Sequence, residues 1–184
     1  MKRCEWATDE ILTKYHDIEW GVPVHNDQKL FEYLILDGMQ SGLSWKIIIE
    51  KRKNFRKAFH NFNPRKIANY SDKDISRLLS DEKIIRNKQK IKSAINNAQR
   101  FVEIKKEFRT FDNYMWSFVN YKTKSNKYEK WRDIPSSTLE SKIMSIDMKK
   151  KGFTFVGPTV CYAFMQTIGM VNDHVLCCFR KNEV

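Results

Sequence analysis

The 184-residue sequence predicts an all-α fold, and three observations predict it. Only 6 glycines and 4 prolines leave little material for the many tight turns of a β-architecture. Lysine, glutamate, leucine and isoleucine fill long stretches, as good helix formers do. Within those stretches apolar residues recur at helical spacing. Hydrophobic residues make up 41% and aromatics 13% of the chain, enough for one core and one domain over 1–184.

The chain is organised around Leu30–Trp45, LFEYLILDGMQSGLSW. Leu30, Phe31, Leu34 and Ile35 share one helical face, and Asp27 stands where its side chain can cap the helix start. A carboxylate, Asp37, then interrupts the apolar run. Gly38 and Gly42 break the helix pattern, and Trp45 closes the stretch. An acid on an apolar helix beside small residues and an indole suits a pocket for a flat polar ring. The plainer alternative is a solvated acid at a helix end.

Ahead of this stretch, residues 4–25 hold Cys4, Trp6, Tyr15, His16, Trp20, Gly21, Pro23 and His25, too many special side chains for packing alone. After it, a helix is expected over Ser44–Phe59. Ile47, Ile48, Phe55 and Phe59 should face inward, and Lys51, Arg52, Lys53, Arg56 and Lys57 outward. Pro64 marks another helix start, and Ser71 with Asp74 forms a capping-box pattern. Residues 82–107 read as a long basic helix, or a turn and a helix, with Ile84, Ile91, Ile95 and Phe101 as its apolar stripe. Residues 111–119 are short, aromatic and core-like. Residues 120–135 are polar and without period, the best loop candidate. Ser136 or Ser137 then caps a helix, with Glu140 placed to complete a box to Ser137. That helix runs over Ser141–Lys151 and stops at Gly152. FTFVGPT (Phe153–Thr159) leads into a second helix that ends near Ile168, before Gly169.

Lys and Arg together number 34 against 22 Asp and Glu, a net charge of +12. Such an excess favours a polyanionic partner, and with no basic amphipathic membrane helix in evidence nucleic acid leads. The hairpin over about 141–169 fits that partner. The free backbone N–H groups after Gly157 and the helix dipole can hold a phosphate oxygen. A purely structural helical hairpin would look the same. No apolar run reaches membrane-span length. The N-terminus lacks an apolar signal-peptide core, so a cytoplasmic protein with no membrane association is expected.

Four cysteines in such a chain argue against a disulfide framework. Cys4 and His16 lie near one end, and His174 and Cys178 near the other, the latter pair at i, i+4 spacing that would share a helix face. Two thiolates and two imidazoles form a closed tetrahedral set of the kind zinc takes structurally, a clasp between segments 4–16 and 174–178. Cys177 is an alternative to Cys178, and Cys161 reads as a small buried residue. A zinc hydrolase or nuclease would need an open coordination position, which four protein ligands do not leave.

These pieces resemble the bacterial 3-methyladenine DNA glycosylase I family, of the helix-hairpin-helix DNA glycosylase superfamily. The resemblance spans nearly the whole chain. It is carried by RCEW (Arg3–Trp6), YHDIEWGVP (Tyr15–Pro23), KLFEYLILDGMQSGLSW (Lys29–Trp45), IIRNKQKI (Ile84–Ile91), WSFVN (Trp116–Asn120) and KKGFTFVGPTVCYAFMQTIGMVNDH (Lys150–His174) with the cysteines that follow. It implies a two-lobed helical fold and one structural Zn2+ on Cys4, His16, His174 and Cys178. It implies hydrolysis of the N-glycosidic bond of 3-methyladenine in double-stranded DNA, leaving an abasic site, with no obligate protein partner. Gly152, Gly157 and Thr159 fall in the superfamily's phosphate anchor. Tyr15, Trp20 and Trp45 fall in the base pocket, with Trp45 stacked on the flipped base, and Asp37 takes the recognition and catalytic position.

Two departures matter. The family usually carries glutamate where this chain has Asp37, shorter by about 1.5 Å, one carbon–carbon bond. Many superfamily members place a catalytic aspartate after the hairpin, where this chain has Asn172, as suits a family that lacks it. No lysine in the pocket segments looks poised for a Schiff base, so strand-cleaving lyase activity is not expected. A catalytically weak DNA-binding protein of the same fold is the competing expectation.

Overall fold

The computed structural model describes residues 1–184. Nine α-helices follow one another, α1 (Glu10–Ile18), α2 (Asp27–Gln40), α3 (Trp45–Ala58), α4 (Pro64–Ile67), α5 (Asp72–Ser80), α6 (Lys88–Phe108), α7 (Phe111–Ser117), α8 (Leu139–Lys150) and α9 (Pro158–Thr167). Two two-residue strands, β1 (Lys124–Ser125) and β2 (Val171–Asn172), pair in parallel. No helix is long and apolar enough to cross a membrane.

α2 is the axis of the fold. Its periodicity predicts one buried face, yet all eight residues from Leu30 to Asp37 are buried. A helix covered on every side lies in the middle of the packing. α3, α6, α7 and α9 all lean on it. Its one buried pairing partner for charge is Glu32, which Arg56 reaches at 2.8 Å. The 38-residue main core surrounds this helix, and a separate five-residue cluster of Cys4, Tyr15, Trp20, Val175 and Cys178 joins the two chain ends.

Several local expectations shift. Asn26, not Asp27, caps α2, its side chain accepting from the Lys29 N–H at 2.9 Å. Asp27 sits in the first turn instead. Gly38 stays helical, and the break comes after Gln40, in a turn where Gly42 adopts φ +79°. Ser44, the expected first residue of the helix, is instead the cap of α3. Arg52 turns inward to Glu19 at 2.7 Å, because Glu19 lies between α1 and α3. Asp74 accepts from the Ser71 N–H at 3.0 Å, as its spacing implied. Thr138 replaces Ser136 or Ser137 as the cap of α8, with Ser141 as its reciprocal partner. Glu140 pairs with Lys124 rather than with Ser137. The 120–135 segment is mainly irregular but supplies β1.

Gly169, at φ +75°, lets the end of α9 touch the chain after α1. A Cβ there would lie 2.5 Å from the Pro23 nitrogen and 2.6 Å from the Gly21 oxygen. The Gly21 N–H donates to Gln166 and the Val24 N–H to Ile168, both at 3.1 Å. This seam fixes Trp20 against α9.

Candidate active site and metal centre

A cavity of about 300 Å³ opens between α1, the C-terminal half of α2, the start of α3 and the end of α9. All four residues assigned to the base pocket, Tyr15, Trp20, Asp37 and Trp45, line it. Trp6 and Trp131 complete the wall. The indoles of Trp6 and Trp20 meet edge to face at 5.1 Å between centroids. Tyr15 and Trp45 lie 5.5 Å apart, and Trp20 and Trp131 5.9 Å. Five flat rings around one opening make a slot for another flat ring.

The polar atoms in this slot are short of partners. Asp37 is 2% exposed, and its Oδ2 has no hydrogen-bond partner. The Nε1 donors of Trp6 and Trp45 are likewise buried and unpaired. Buried polar groups are nearly always satisfied, so one acceptor and two donors left open on one cavity mark a ligand's hydrogen-bonding edge. Burial alone holds the Asp37 carboxyl far above the usual carboxylate range, because no cation sits nearby to favour its charged form. Tyr15 is placed by its hydroxyl, which lies 3.3 Å from the Thr167 Oγ1.

Lys46 also borders the cavity. Its ammonium is tied to Asp9 at 2.9 Å, and the hydrogen bond to that carboxylate raises its pKa. A protonated amine is no nucleophile. Trp131 went unassigned because it lies in the aperiodic 120–135 segment. A lone tryptophan in a polar loop was the one available signal.

Cys4, His16, His174 and Cys178 converge behind the Trp20 wall, their ligand atoms all within 4.8 Å of one another. All four are buried. Cys178 Sγ lies 3.4 Å from both His16 Nε2 and His174 Nδ1, and Cys4 Sγ 3.6 Å from His174 Nδ1. Those three separations match edges of a tetrahedron with metal–ligand bonds of about 2.0–2.3 Å. The outward nitrogen of each ring is held. His16 Nδ1 lies 2.8 Å from Asp17 Oδ1, and Asp17 is gripped by Arg3 at 2.8 Å. His174 Nε2 lies 3.2 Å from the Trp20 carbonyl oxygen. Metal-binding histidines are oriented in this way. Burial pushes the His174 imidazole down to about 3, keeping it in the neutral, ligating form, and pushes the Cys4 thiol up to about 12. Only a cation among the donors makes that thiolate favourable. The cluster can therefore hold a metal ion, and four protein donors would leave it no open position. Cys177 is exposed and outside it, and Cys161 is buried in α9, its Sγ 3.4 Å from the Val156 oxygen. His174 and Cys178 meet across a turn, not on a helix as their spacing implied.

The hairpin between α8 and α9 is rigidly pinned. Asn97 receives the Thr154 N–H and donates to its carbonyl, both at 2.9 Å, and Ser145 donates to Val156 at 2.6 Å. Gly152 holds φ +84°, Gly157 caps α9 through its backbone, and Thr159 stands exposed in the first turn. The hairpin's Phe155 approaches α2, 3.8 Å from the position a Cβ of Gly38 would take. Asn172 and Asp173 do not serve a site. Asn172 donates to Lys181 and Val184, and Asp173 accepts from Tyr162, Gln166 and Asn126.

The model of the methyladenine glycosylase family matches residues 6–181. DNA-3-methyladenine glycosylase 1 of Escherichia coli is 43% identical, over the full length of both chains. DNA-3-methyladenine glycosylase of Haemophilus influenzae is 42% identical over 98% of each. The crystal structure of a tyrosine-to-phenylalanine variant of 3-methyladenine DNA glycosylase I in complex with 3-methyladenine superimposes with a TM-score of 0.94. It is 31% identical and 98% of each chain is covered.

Proposed function

This chain belongs to the methyladenine glycosylase family, and from that premise we infer a DNA repair enzyme that removes 3-methyladenine from double-stranded DNA and leaves an abasic site. The single observation that supports the assignment of residues is the aromatic cavity with its unpaired Asp37 Oδ2 and unpaired indole N–H groups.

The target atoms are hidden in the base stack, so the nucleotide must turn out of the duplex, at a cost of a few kcal/mol. Tyr15, Trp20 and Trp45 then receive the ring, Trp45 by stacking. In the cavity a cationic methylated adenine supplies the positive charge that Asp37 lacks. As the cation enters, Asp37 gives up its proton to solvent, accepts the exocyclic N–H, and favours the cation over neutral adenine. Water adds at the sugar carbon as the N-glycosidic bond breaks, and its surplus proton passes to solvent. The bonding electron pair leaves with the base and cancels its charge, so no strong general acid is needed. Asp37 is one methylene shorter than glutamate, and its burial on α2 beside the cavity fixes where it reaches.

The hairpin offers N–H groups at the start of α9 to the DNA backbone, with Gly152, Gly157 and Thr159 as the contact residues of a helix-hairpin-helix anchor. Zn2+ on Cys4, His16, His174 and Cys178 is structural, since four protein donors leave no place for a reacting water. Lys46 is neutralised by Asp9, so the enzyme is monofunctional, and borohydride should trap no protein–DNA adduct. Its place of action is the cytoplasm, on genomic DNA.

The test is release of free base from methylated duplex DNA, resolving 3-methyladenine from 7-methylguanine. Release of 3-methyladenine alone supports the assignment. Retained binding to abasic DNA without release would replace it with a DNA-binding protein that has lost its chemistry.

A further inference from the structure

A second cleft, of about 660 Å³, opens at the other end of α2, between that helix, α4 and the last turns of α6. Asp27 borders it and Asp37 borders the base cavity. Ten residues of helix separate them, about 15 Å at 1.5 Å per residue. The cleft is thus remote from the base cavity.

The arginines single it out. The chain has ten. Eight of them, Arg3, Arg52, Arg56, Arg77, Arg86, Arg100, Arg132 and Arg180, pair with a carboxylate. The two without a carboxylate, Arg65 and Arg109, both line this cleft, and so does Lys106, also without one. The cleft's own carboxylate is spent. Asp27 binds Lys105 at 2.6 Å and accepts the Asp112 N–H at 2.9 Å. Arg109 is held at φ +69° where α6 ends, a conformation side-chain-bearing residues rarely adopt and one that accumulates at functional positions. Asn26 and Asn63 spend their side-chain oxygens on capping the Lys29 and Lys66 N–H groups, which leaves their amide N–H groups as donors.

The cleft therefore offers three cations without a carboxylate partner and several amide donors, against one side-chain acceptor, the Gln28 oxygen, whose amide nitrogen donates to the Asn61 carbonyl at 2.7 Å. The ligand that fits this surplus is an anion with more than one charge. Guanidinium forks match phosphate oxygens in planar pairs. We propose that this cleft is a second phosphate site, which takes neighbouring phosphate groups either of duplex DNA beyond the lesion or of a free oligophosphate.

The test compares the full-length protein with a triple variant, Arg65→Gln, Lys106→Gln and Arg109→Gln, in two assays. One is calorimetric titration with tripolyphosphate. The other is the salt dependence of binding to an undamaged 30-base-pair duplex. Unchanged Tm and unchanged quenching of tryptophan fluorescence by 3-methyladenine confirm that the variant is folded with its cavity intact. Should the triple variant not fold, Arg65→Gln alone, at an exposed position early in α4, carries the test. A tenfold or greater loss of tripolyphosphate affinity is expected. A fall of about 2–3 in the slope of log K against log salt, near 0.9 per phosphate released, assigns the cleft to DNA. Lost tripolyphosphate binding with an unchanged slope assigns it to a free oligophosphate. If both readouts match the wild type, or if the wild type binds poly-glutamate but not tripolyphosphate, the proposal is overturned.

Discussion

The Lys90 ammonium donates to the Met39 carbonyl at 2.8 Å and so ties α6 to the end of α2. The same Nζ reaches the Ser41 carbonyl at 2.6 Å. Carbonyls at a helix C-terminus have no partner within the helix, and the helix dipole favours a cation there. Met39 is two residues from Asp37, and the turn that follows delivers Trp45 into the cavity. Lys90→Met keeps the apolar stem but strips both carbonyls of their donor. A loss of about 1–3 kcal/mol is expected, which lowers Tm by ~3–10 °C. Thermal unfolding at fixed pH measures it, and an unchanged Tm would remove Lys90 from the supports of the site.

Asp37→Asn should separate stability from activity. The folded-state pKa of Asp37 is raised, so between its unfolded pKa, about 3.9, and that raised value the native state holds the extra proton. Native stability then falls as pH rises through that window. The asparagine variant escapes this loss. Its Tm should exceed the wild type at pH 8 and converge with it toward pH 4. Base release should drop by ~10- to 150-fold, the worth of one charge-assisted hydrogen bond of about 1.5–3 kcal/mol. In the wild type, kcat/KM on methylated DNA should climb with pH until Asp37 ionises readily, then level off. A flat profile together with full activity of the variant would deprive Asp37 of its role.

Trp45→Phe tests the open indole donor. The ring for stacking remains, while the buried Nε1 is gone. If that N–H serves the base, kcat/KM falls by about 5- to 10-fold, near 1 kcal/mol, with Tm little changed. Equal activity would leave Trp45 as a stacking wall only.

The metal centre makes a paired prediction. Wild-type protein should carry one zinc per chain, Cys178→Ala none, and Cys177→Ala one. A metal present at even ~100 times its Kd stabilises the native state by ~2.7 kcal/mol, which corresponds to a Tm difference of ~5–11 °C. Elemental analysis with thermal unfolding reads both. Metal retained in Cys178→Ala, or lost in Cys177→Ala, would require a different ligand set.

Much of the site could be read along the chain because its key residues contradict their surroundings. Asp37 stands in an apolar run, and Tyr15, His16 and Trp20 crowd one short stretch. Matched segments in order then gave each of them a role by resemblance. The parts that escaped are those set by distant packing. Eight successive residues of α2 are buried because four helices close over it, which no single-helix period encodes. Trp131 reaches the cavity from a segment anchored through β1 to β2, a pairing across more than forty residues. Thr138 wins the α8 cap over Ser137 by one residue, inside the usual uncertainty of helix ends. His174 and Cys178 are brought together by a turn and by the opposite end of the chain, so their helical spacing was coincidental.

Trp20 stands with its carbonyl toward the His174 ring and its indole toward the base cavity. The indole also meets the His174 ring at 4.5 Å between centroids, so an ion in the four-donor cluster and a base in the cavity would be neighbours through one residue. Linkage between two ligands is reciprocal. Whatever factor the ion contributes to affinity for the base, the base returns to affinity for the ion. Where that factor exceeds one, an ion that touches no DNA would be held more tightly while a damaged base is bound, and its affinity becomes a gauge of lesion occupancy.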